Sequence, residues 1–148
     1  MAWVPYDSYL KGMKTGEFTA FVDHDADDFY IMLVTNTYTP NRATHQYEDD
    51  LTNEVAGTNY TARGASCANP GVSVAANVVT WDATDPATWS QSAAGFSDAR
   101  YAILVKHTGS AATSNLVAYN DFGSDQGNVA GDFAIELASD GISTLGSS

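Results

Sequence analysis

The stretch 29-FYIMLVT-35 decides the fold class of this chain. Its run from Phe29 to Val34 is continuously apolar, which is typical of a strand that is covered on both faces. The run is far shorter than the roughly 20 apolar residues that a helix needs to span a bilayer. It therefore predicts a buried strand, and we expect no membrane partner.

Shorter segments on both sides of this strand carry the same β pattern. Apolar or alternating runs bounded by turn residues predict strands at 17–22, 72–76, 78–82, 100–107, 116–122, 132–138 and 142–145. Asn77 marks a turn or a bulge between the second and third of these segments, and residues 108–114 form the loop of a longer hairpin. The alternation of Phe133, Ile135 and Leu137 places these three side chains on one face of their strand.

Two further segments predict helical structure. In residues 5–14, apolar side chains recur at i, i+3, i+4 and i+7, which forms one amphipathic face. Pro5 suits the first turn of this helix, and Gly16 is a natural stop. The face consists of Tyr6, Tyr9, Leu10 and Met13. A four-residue spacing of apolar side chains in residues 44–54 predicts one or two helical turns.

Together these segments predict one mainly β domain over residues 1–148, a β-sandwich or jelly-roll-like fold with a short N-terminal helix. Residues 1–16 form a helical arm, and residues 146–148 form a flexible tail. Cys67 is the only cysteine, so no intrachain disulfide forms, and we expect its thiol in the core. The predicted core side chains are Phe29, Ile31, Leu33, Ile103, Val105, Val117, Phe133 and Ile135.

The charge of the chain sets limits on its partners. It carries 18 acidic residues against six Lys or Arg, for a net charge of −12. Duplex DNA would be repelled, because phosphate binding depends on cationic side chains that displace counterions. We therefore predict no direct contact with nucleic acid. Two interpretations of the acidity stay open: a positively charged protein partner, and solubility at high copy number.

An acidic segment is the strongest candidate for a metal site. Asp23, Asp25 and Asp27 occupy positions one, three and five of a calcium-binding loop. Position six is Asp28, where such a loop needs Gly for its sharp turn. Position twelve is Val34, where the loop needs a bidentate Glu. We therefore predict a hydrated acidic turn and no metal.

No group of residues has the spacing of a catalytic site. His24, His45 and His107 lack the spacing of zinc ligands. The chain has no GxSxG motif, P-loop or dinucleotide fingerprint. Asp49-Asp50 and Glu48 have the chemistry of glycosidase carboxylates, but 18 acidic residues make such pairs unavoidable. We predict no enzymatic activity, no cofactor, and no catalytic, cofactor-binding or metal residues.

Aromatic side chains are the most abundant candidates for contacts with partners. Those nearest to loops are Tyr60, Trp81, Trp89 and Tyr101. Three roles stay open for them: core packing, subunit contact and a sugar-binding surface. The apolar segment 1–13 predicts packing on a neighbouring subunit, and we expect a homo-oligomer, a trimer or dimer closed by symmetry. The residues predicted for this interface are Trp3, Tyr6, Tyr9, Tyr60 and Trp89.

Several short phrases of the sequence are distinctive as a set. In order, they are 38-YTP-40, 54-EVAGTNYTARG-64, 80-TWD-82, 99-ARYA-102, 106-KHTG-109 and 119-YNDFGSD-125. Together they resemble small virion-associated proteins of tailed bacteriophages, and the likeness extends over residues 6–145. In one phrase Arg63 stands where Gly is expected, so we expect no positive φ at this position.

The resemblance implies a structural component of the phage particle, in particular a capsid decoration or cement protein. Proteins of that kind are small, mostly β, free of ligands and present in many copies. They bind between capsomers and raise the stability of the shell by linkage. The implied partner is the major capsid protein. The implied location is the capsid surface of the virion, after synthesis in the host cytoplasm.

Two other functions stay open. The alternative is a tail or head-fibre module that contacts the host surface, and a third class is a carbohydrate-active enzyme. Copy number distinguishes the first two, because a decoration protein is present in many more copies per particle than a fibre module. A hydrolysis assay distinguishes the third.

Overall fold

The computed structural model describes residues 3–15 and 29–137, and the backbone of residues 143–146. In chain order, its strands are β1 (Val4–Pro5), β2 (Phe29–Thr35), β3 (Ala65–Ser66), β4 (Gly71–Ala75), β5 (Val78–Asp82), β6 (Ala99–Lys106), β7 (Asn115–Gln126) and β8 (Ser143–Gly146). An α-helix, α1 (Asp7–Thr15), and a 3-10 turn (Glu48–Asp50) complete the described elements. The strands form two antiparallel sheets, so the predicted mainly β, sandwich-like fold with a short N-terminal helix is confirmed.

Strand β6 lies at the centre of the larger sheet, whose strand order is β1-β7-β6-β2-β3. It pairs with β2 on one side and with β7 on the other, antiparallel in both cases. Because side chains alternate between the two faces, the paired residues Ile31 and Leu104 share one face, and Met32 and Ile103 share the other. All four side chains are buried, which confirms that both faces of β2 are covered.

The predicted core is confirmed with one exception. The buried members are Phe29, Ile31, Leu33, Ile103, Val105, Val117 and Ile135. Phe133 is only half-buried. Cys67 is buried as predicted, and burial, with a smaller contribution from the Asp85 charge, raises the pKa of its thiol to about 12.

The smaller sheet contacts one face of the larger sheet through Trp81. Its strand order is β4-β5-β8, and the Trp81 ring in β5 packs on Phe29 in β2, with ring centroids 4.9 Å apart. Strands β4 and β5 are joined by Ala76 and Asn77, whose φ angles are 49° and 66°. Positive φ at both positions is the signature of a type I′ turn, which matches the twist of the flanking strands. The predicted turn at Asn77 is therefore confirmed.

The N-terminal segment covers the opposite face. Strand β1 pairs with β7, and the Tyr6 N–H donates to the Val117 carbonyl at 3.0 Å. Helix α1 therefore begins at Asp7, two residues later than predicted. The Tyr6 ring packs against Tyr119, with centroids 5.4 Å apart, on the face that Ile103 shares. The described part of the predicted N-terminal arm thus packs on its own chain.

The prediction of helical turns in residues 44–54 is confirmed only for one 3-10 turn, Glu48–Asp50. Leu51 is extended, and the chain after it pairs with the end of β2. The Val55 N–H donates to the Leu33 carbonyl at 3.0 Å, and the Thr35 N–H donates to the Asn53 carbonyl at 2.9 Å. Pairing with the sheet therefore outweighs the helical spacing.

The predicted strand 132–138 is wrong for its described residues, 132–137. Phe133 forms a single bridge to Trp89, with backbone hydrogen bonds of 2.8 and 2.9 Å. Pairing stops there because the Gln91 N–H donates to the Asp132 carboxylate at 2.7 Å instead of to a backbone carbonyl. Ile135 is nevertheless buried.

The remaining predictions concern the two ends of the chain and the segment before β2. The predicted last strand is observed as β8, which pairs with β5. The predicted strand 17–22, the acidic turn at Asp23, Asp25 and Asp27, and Gly16 lie outside the described residues.

Truncation of Ile103 to Ala tests the packing of the central strand. Ile103 is fully buried between β2 and β7, so we expect Ile103→Ala to lower the free energy of unfolding by about 2–5 kcal/mol. Urea denaturation followed by circular dichroism measures the loss. The control is Val129→Ala, because Val129 is exposed. Equal losses in the two variants would contradict the described core.

Candidate functional site

Three of the five residues predicted for a subunit interface belong to the core. Tyr6, Tyr9 and Trp89 are at most 4% exposed within one chain. Their rings present no surface to a neighbour, because α1 and the loops pack them against the larger sheet, and we correct the interface prediction for these three residues. Trp3 and Tyr60 are half-buried, and their interface role stays a prediction.

The aromatic side chains near loops pack mainly against one another. Tyr60 stacks on Trp89 at a centroid distance of 6.3 Å, and Trp89 meets the Phe96 ring edge-on at 6.4 Å. Trp81 is buried on Phe29. Core packing therefore accounts for Trp81 and Trp89, and a sugar-binding surface built on these two rings is excluded by their burial.

An ion pair between a buried Glu48 and a half-buried Arg63 lies where three loops meet. The Arg63 guanidinium donates two hydrogen bonds to the Glu48 carboxylate, each 2.7 Å long. The Glu48 side chain is 6% exposed and the Arg63 side chain is 39% exposed. His107 lies against both, with its Nδ1 atom 2.9 Å from Arg63 Nη2 and 3.0 Å from Glu48 Oε2. We call Arg63, Glu48, His107 and Glu54 the Arg63 cluster.

The backbone of Arg63 contradicts the expectation from the sequence. Its φ is 72° and that of Gly64 is 83°, so two consecutive residues are left-handed. Glu54 stabilises this conformation, because its carboxylate accepts hydrogen bonds from the Arg63 N–H at 2.5 Å and from the Tyr60 hydroxyl at 2.8 Å. A side chain at position 64 is also excluded sterically, since a Cβ atom there would lie 1.9 Å from the Ile31 carbonyl oxygen.

The protonation states of the cluster follow from its geometry. Burial and the Arg63 charge lower the pKa of His107 and outweigh the Glu48 carboxylate. Burial alone would raise the pKa of Glu48, but the hydrogen bonds and charge of Arg63 hold it below its ordinary value. At neutral pH the imidazole is therefore neutral. It accepts from Arg63 at Nδ1 and donates from Nε2 to the Arg63 carbonyl at 3.4 Å.

A pocket of about 640 Å³ opens beside the cluster and is lined by Tyr30, residues 61–64 and residues 106–109. Arg63, which lines this pocket, is bound by the Glu48 carboxylate. The Arg63 cluster thus serves to hold the loops together. Within the described ranges, no group of three His, Cys, Asp or Glu residues converges to hold a metal ion.

The β4–β5 hairpin carries the most exposed aliphatic surface in the described part of the chain. Val72, Val74 and Val79 are 48%, 69% and 38% exposed. The register pairs Val74 with Val79 and Val72 with Trp81, so these side chains share one face of the hairpin. Trp81 packs into the core, and the three valines lie on the same face but are exposed. We call Val72, Val74 and Val79 the valine face.

The valine face is also free of charge. No Asp, Glu, Lys or Arg occurs between Gly71 and Trp81, although the chain has a net charge of −12. Exposed aliphatic side chains that form one contiguous surface are typical of a contact site for another protein. The sequence predicts these strands but not the exposure of their valines. The sequence signal for this exposure is the alternating pattern of residues 71–81, which contains no charged residue.

No family model, curated protein or solved structure matches this chain. None of the described helices is long and apolar enough to cross a bilayer.

Neutralising the buried carboxylate of Glu48 tests its ion pair with Arg63. Glu48→Gln keeps the size of the side chain but leaves Arg63 without its counter-charge, so we expect a loss of about 1–3 kcal/mol in the free energy of unfolding. The matched control is Asp121→Asn, which neutralises the exposed pair of Asp121 with Arg100. Exposed pairs contribute little because solvent screens them, so its effect should be much smaller. A larger effect in the control would refute the role of the cluster.

The cluster also predicts how stability depends on pH. His107 has a lowered pKa in the folded chain, so the unfolded chain takes up this proton first as the pH falls through about 6.5. Stability should therefore decrease from pH 7 downward until the folded imidazole also titrates. Stability should decrease again below about pH 4.5, because Glu48 takes up its proton at a higher pH in the unfolded chain than in the folded chain.

Urea midpoints measured across this range in the chain and in His107→Asn separate the two steps. The Asn amide reaches the position of Nδ1 but does not titrate, so the variant should lose the upper step and keep the lower one. An upper step that persists unchanged in His107→Asn would assign it to another group.

Proposed function

We propose that this protein is a structural component of a tailed-bacteriophage virion, a capsid decoration protein that binds the major capsid protein through its valine face. The valine face is the observation that carries the proposal. Its three side chains are exposed in the single chain, share one side of a rigid hairpin and carry no charge. Support also comes from the phrases of the sequence that resemble virion proteins.

The rigidity of the hairpin favours a preformed contact surface. The type I′ turn and the Trp81 anchor hold the valines in place before a partner binds. Little conformational entropy is then lost on binding, and burial of aliphatic surface contributes about 25 cal/mol per Å². Three valines form a small surface, so we expect each copy to bind weakly.

The distribution of charge agrees with an outward-facing body. The net charge of −12 lies outside the hairpin segment 71–81. Acidic residues on the remainder of the surface keep a protein soluble when many copies are held close together. The uncharged face can approach a shell without desolvating a carboxylate, which is costly when the carboxylate remains unpaired.

Substitution of the valine face by threonine tests the proposal. Val and Thr have the same shape and both favour strands, so Val72→Thr, Val74→Thr and Val79→Thr together should preserve the hairpin while making its surface polar. We expect the triple variant to lose attachment to shells that lack the native protein, measured by co-sedimentation. Val129→Thr, a change at an exposed valine elsewhere, should attach normally.

Quantitative mass spectrometry of purified particles tests the broader assignment. A decoration protein should be present at a copy number comparable with that of the major capsid protein. A far lower copy number would instead favour a tail or head-fibre module, and absence from the particle would refute a virion role.

A further inference from the structure

Among the described residues, strand β4 lies at the edge of its sheet. It is the end strand of its sheet, and its described partner is β5 alone. In a hairpin with a two-residue turn, the residues next to the turn form a hydrogen-bonded pair, and hydrogen-bonded pairs alternate along the strands. Gly71, Ser73 and Ala75 therefore bond to β5, whereas the N–H and C=O groups of Val72 and Val74 point away from the sheet.

This edge lacks the features that normally prevent strands from pairing. Proteins protect open edges with charged side chains, with proline or with bulges. The sequence 71-GVSVA-75 contains no charge and no proline. Its pairing with β5 runs without a register shift. The strand is thus straight and able to accept a further strand.

The strand is also nearly symmetric about its centre. Val72 and Val74 flank Ser73, and the small residues Gly71 and Ala75 flank the valines. A two-fold axis that is perpendicular to the sheet and lies beside Ser73 relates this strand to β4 of a second copy. It places Val72 of each copy opposite Val74 of the other copy. Such self-complementarity is what a two-fold interface requires, because the same surface must contact itself.

We propose that β4 pairs antiparallel with β4 of a second copy of this chain, about a two-fold axis at Ser73. The pairing satisfies all four outward groups, since Val72 and Val74 of each copy exchange backbone hydrogen bonds with Val74 and Val72 of the other. Two three-stranded sheets become one six-stranded sheet. Across it, Val79, Val74, the second copy's Val72 and its Trp81 lie in one row on the same face.

Charge favours a second copy as the occupant of this edge. Chains with a net charge of −12 repel one another over most of their surface. The hairpin segment 71–81 contains no charged residue, so two copies meet there without opposing like charges. The dimer uses the backbone edge and leaves the valine side chains exposed on the sheet face, so it doubles the area of the valine face. It does not depend on the proposed function.

The mass of the purified protein in solution tests the dimer. Sedimentation velocity over a range of concentrations should show twice the mass of one chain for the native protein. Val74→Pro removes one outward N–H without removing a bond to β5, and edge strands tolerate proline, so this variant should be monomeric. Val74→Glu opposes charges across the axis and should also be monomeric. Val129→Glu, with the same change elsewhere, should remain a dimer, and circular dichroism verifies that each variant is folded.

A cysteine at the axis tests the register. Opposed residues at Ser73 form a non-hydrogen-bonded pair, with Cβ atoms about 4.5–5.5 Å apart, so Ser73→Cys should form an intermolecular disulfide on mild oxidation. Ser97→Cys, at an exposed serine outside the hairpin, should not. A monomeric native protein, a trimer, or a dimer that persists in both Val74 variants would overturn the proposal. Failure of Ser73→Cys to cross-link would overturn the two-fold axis at Ser73.

Discussion

Burial of both faces of the β2, β6 and β7 strands is the constraint on which the rest of the structure depends. Their backbone groups are paired within the sheet, but their apolar side chains emerge on both sides and need two separate covers. Trp81 of the β4-β5-β8 sheet contributes to one cover by packing on Phe29. The N-terminal segment supplies the other through Tyr6 on Tyr119. The sandwich is thus a consequence of one strand that has no polar face.

The covers are joined by long irregular segments, and buried polar side chains hold these segments in place. The Arg63 cluster is one such group of side chains. Asn128 is another: its amide donates to the Thr58 and Ser90 carbonyls at 3.2 and 2.8 Å and accepts from the Phe96 N–H at 2.9 Å. A buried amide satisfied in this way fixes the position of the loops it joins, because an unpaired polar group is costly in the interior. Gly95 allows the approach, since a Cβ atom there would lie 1.9 Å from the Asn128 oxygen.

The hairpin differs from the body in the forces that hold it. The body is stabilised by a core closed on both sides, whereas the hairpin extends beyond that core and is attached to it at Trp81. Its exposed valines and its open edge present two different surfaces, one of side chains and one of backbone. The first suits an aliphatic partner and the second suits another strand. A dimer that joins the edges would present the valine face to a shell as a continuous surface, which links the two proposals without making either depend on the other.

Local physics made a large part of this fold predictable. The run Phe29–Val34 predicts a buried strand, because a continuously apolar strand needs cover on both faces. Asn77 tolerates the positive φ that a two-residue hairpin requires. The sequence alone therefore determined the fold class, most strands and most of the core. Only the tertiary structure decided that Trp89 is buried rather than available to a partner, because burial depends on which distant segments meet. It also decided the left-handed conformation of Arg63, since the carboxylate of Glu54 that stabilises it comes from another part of the loop.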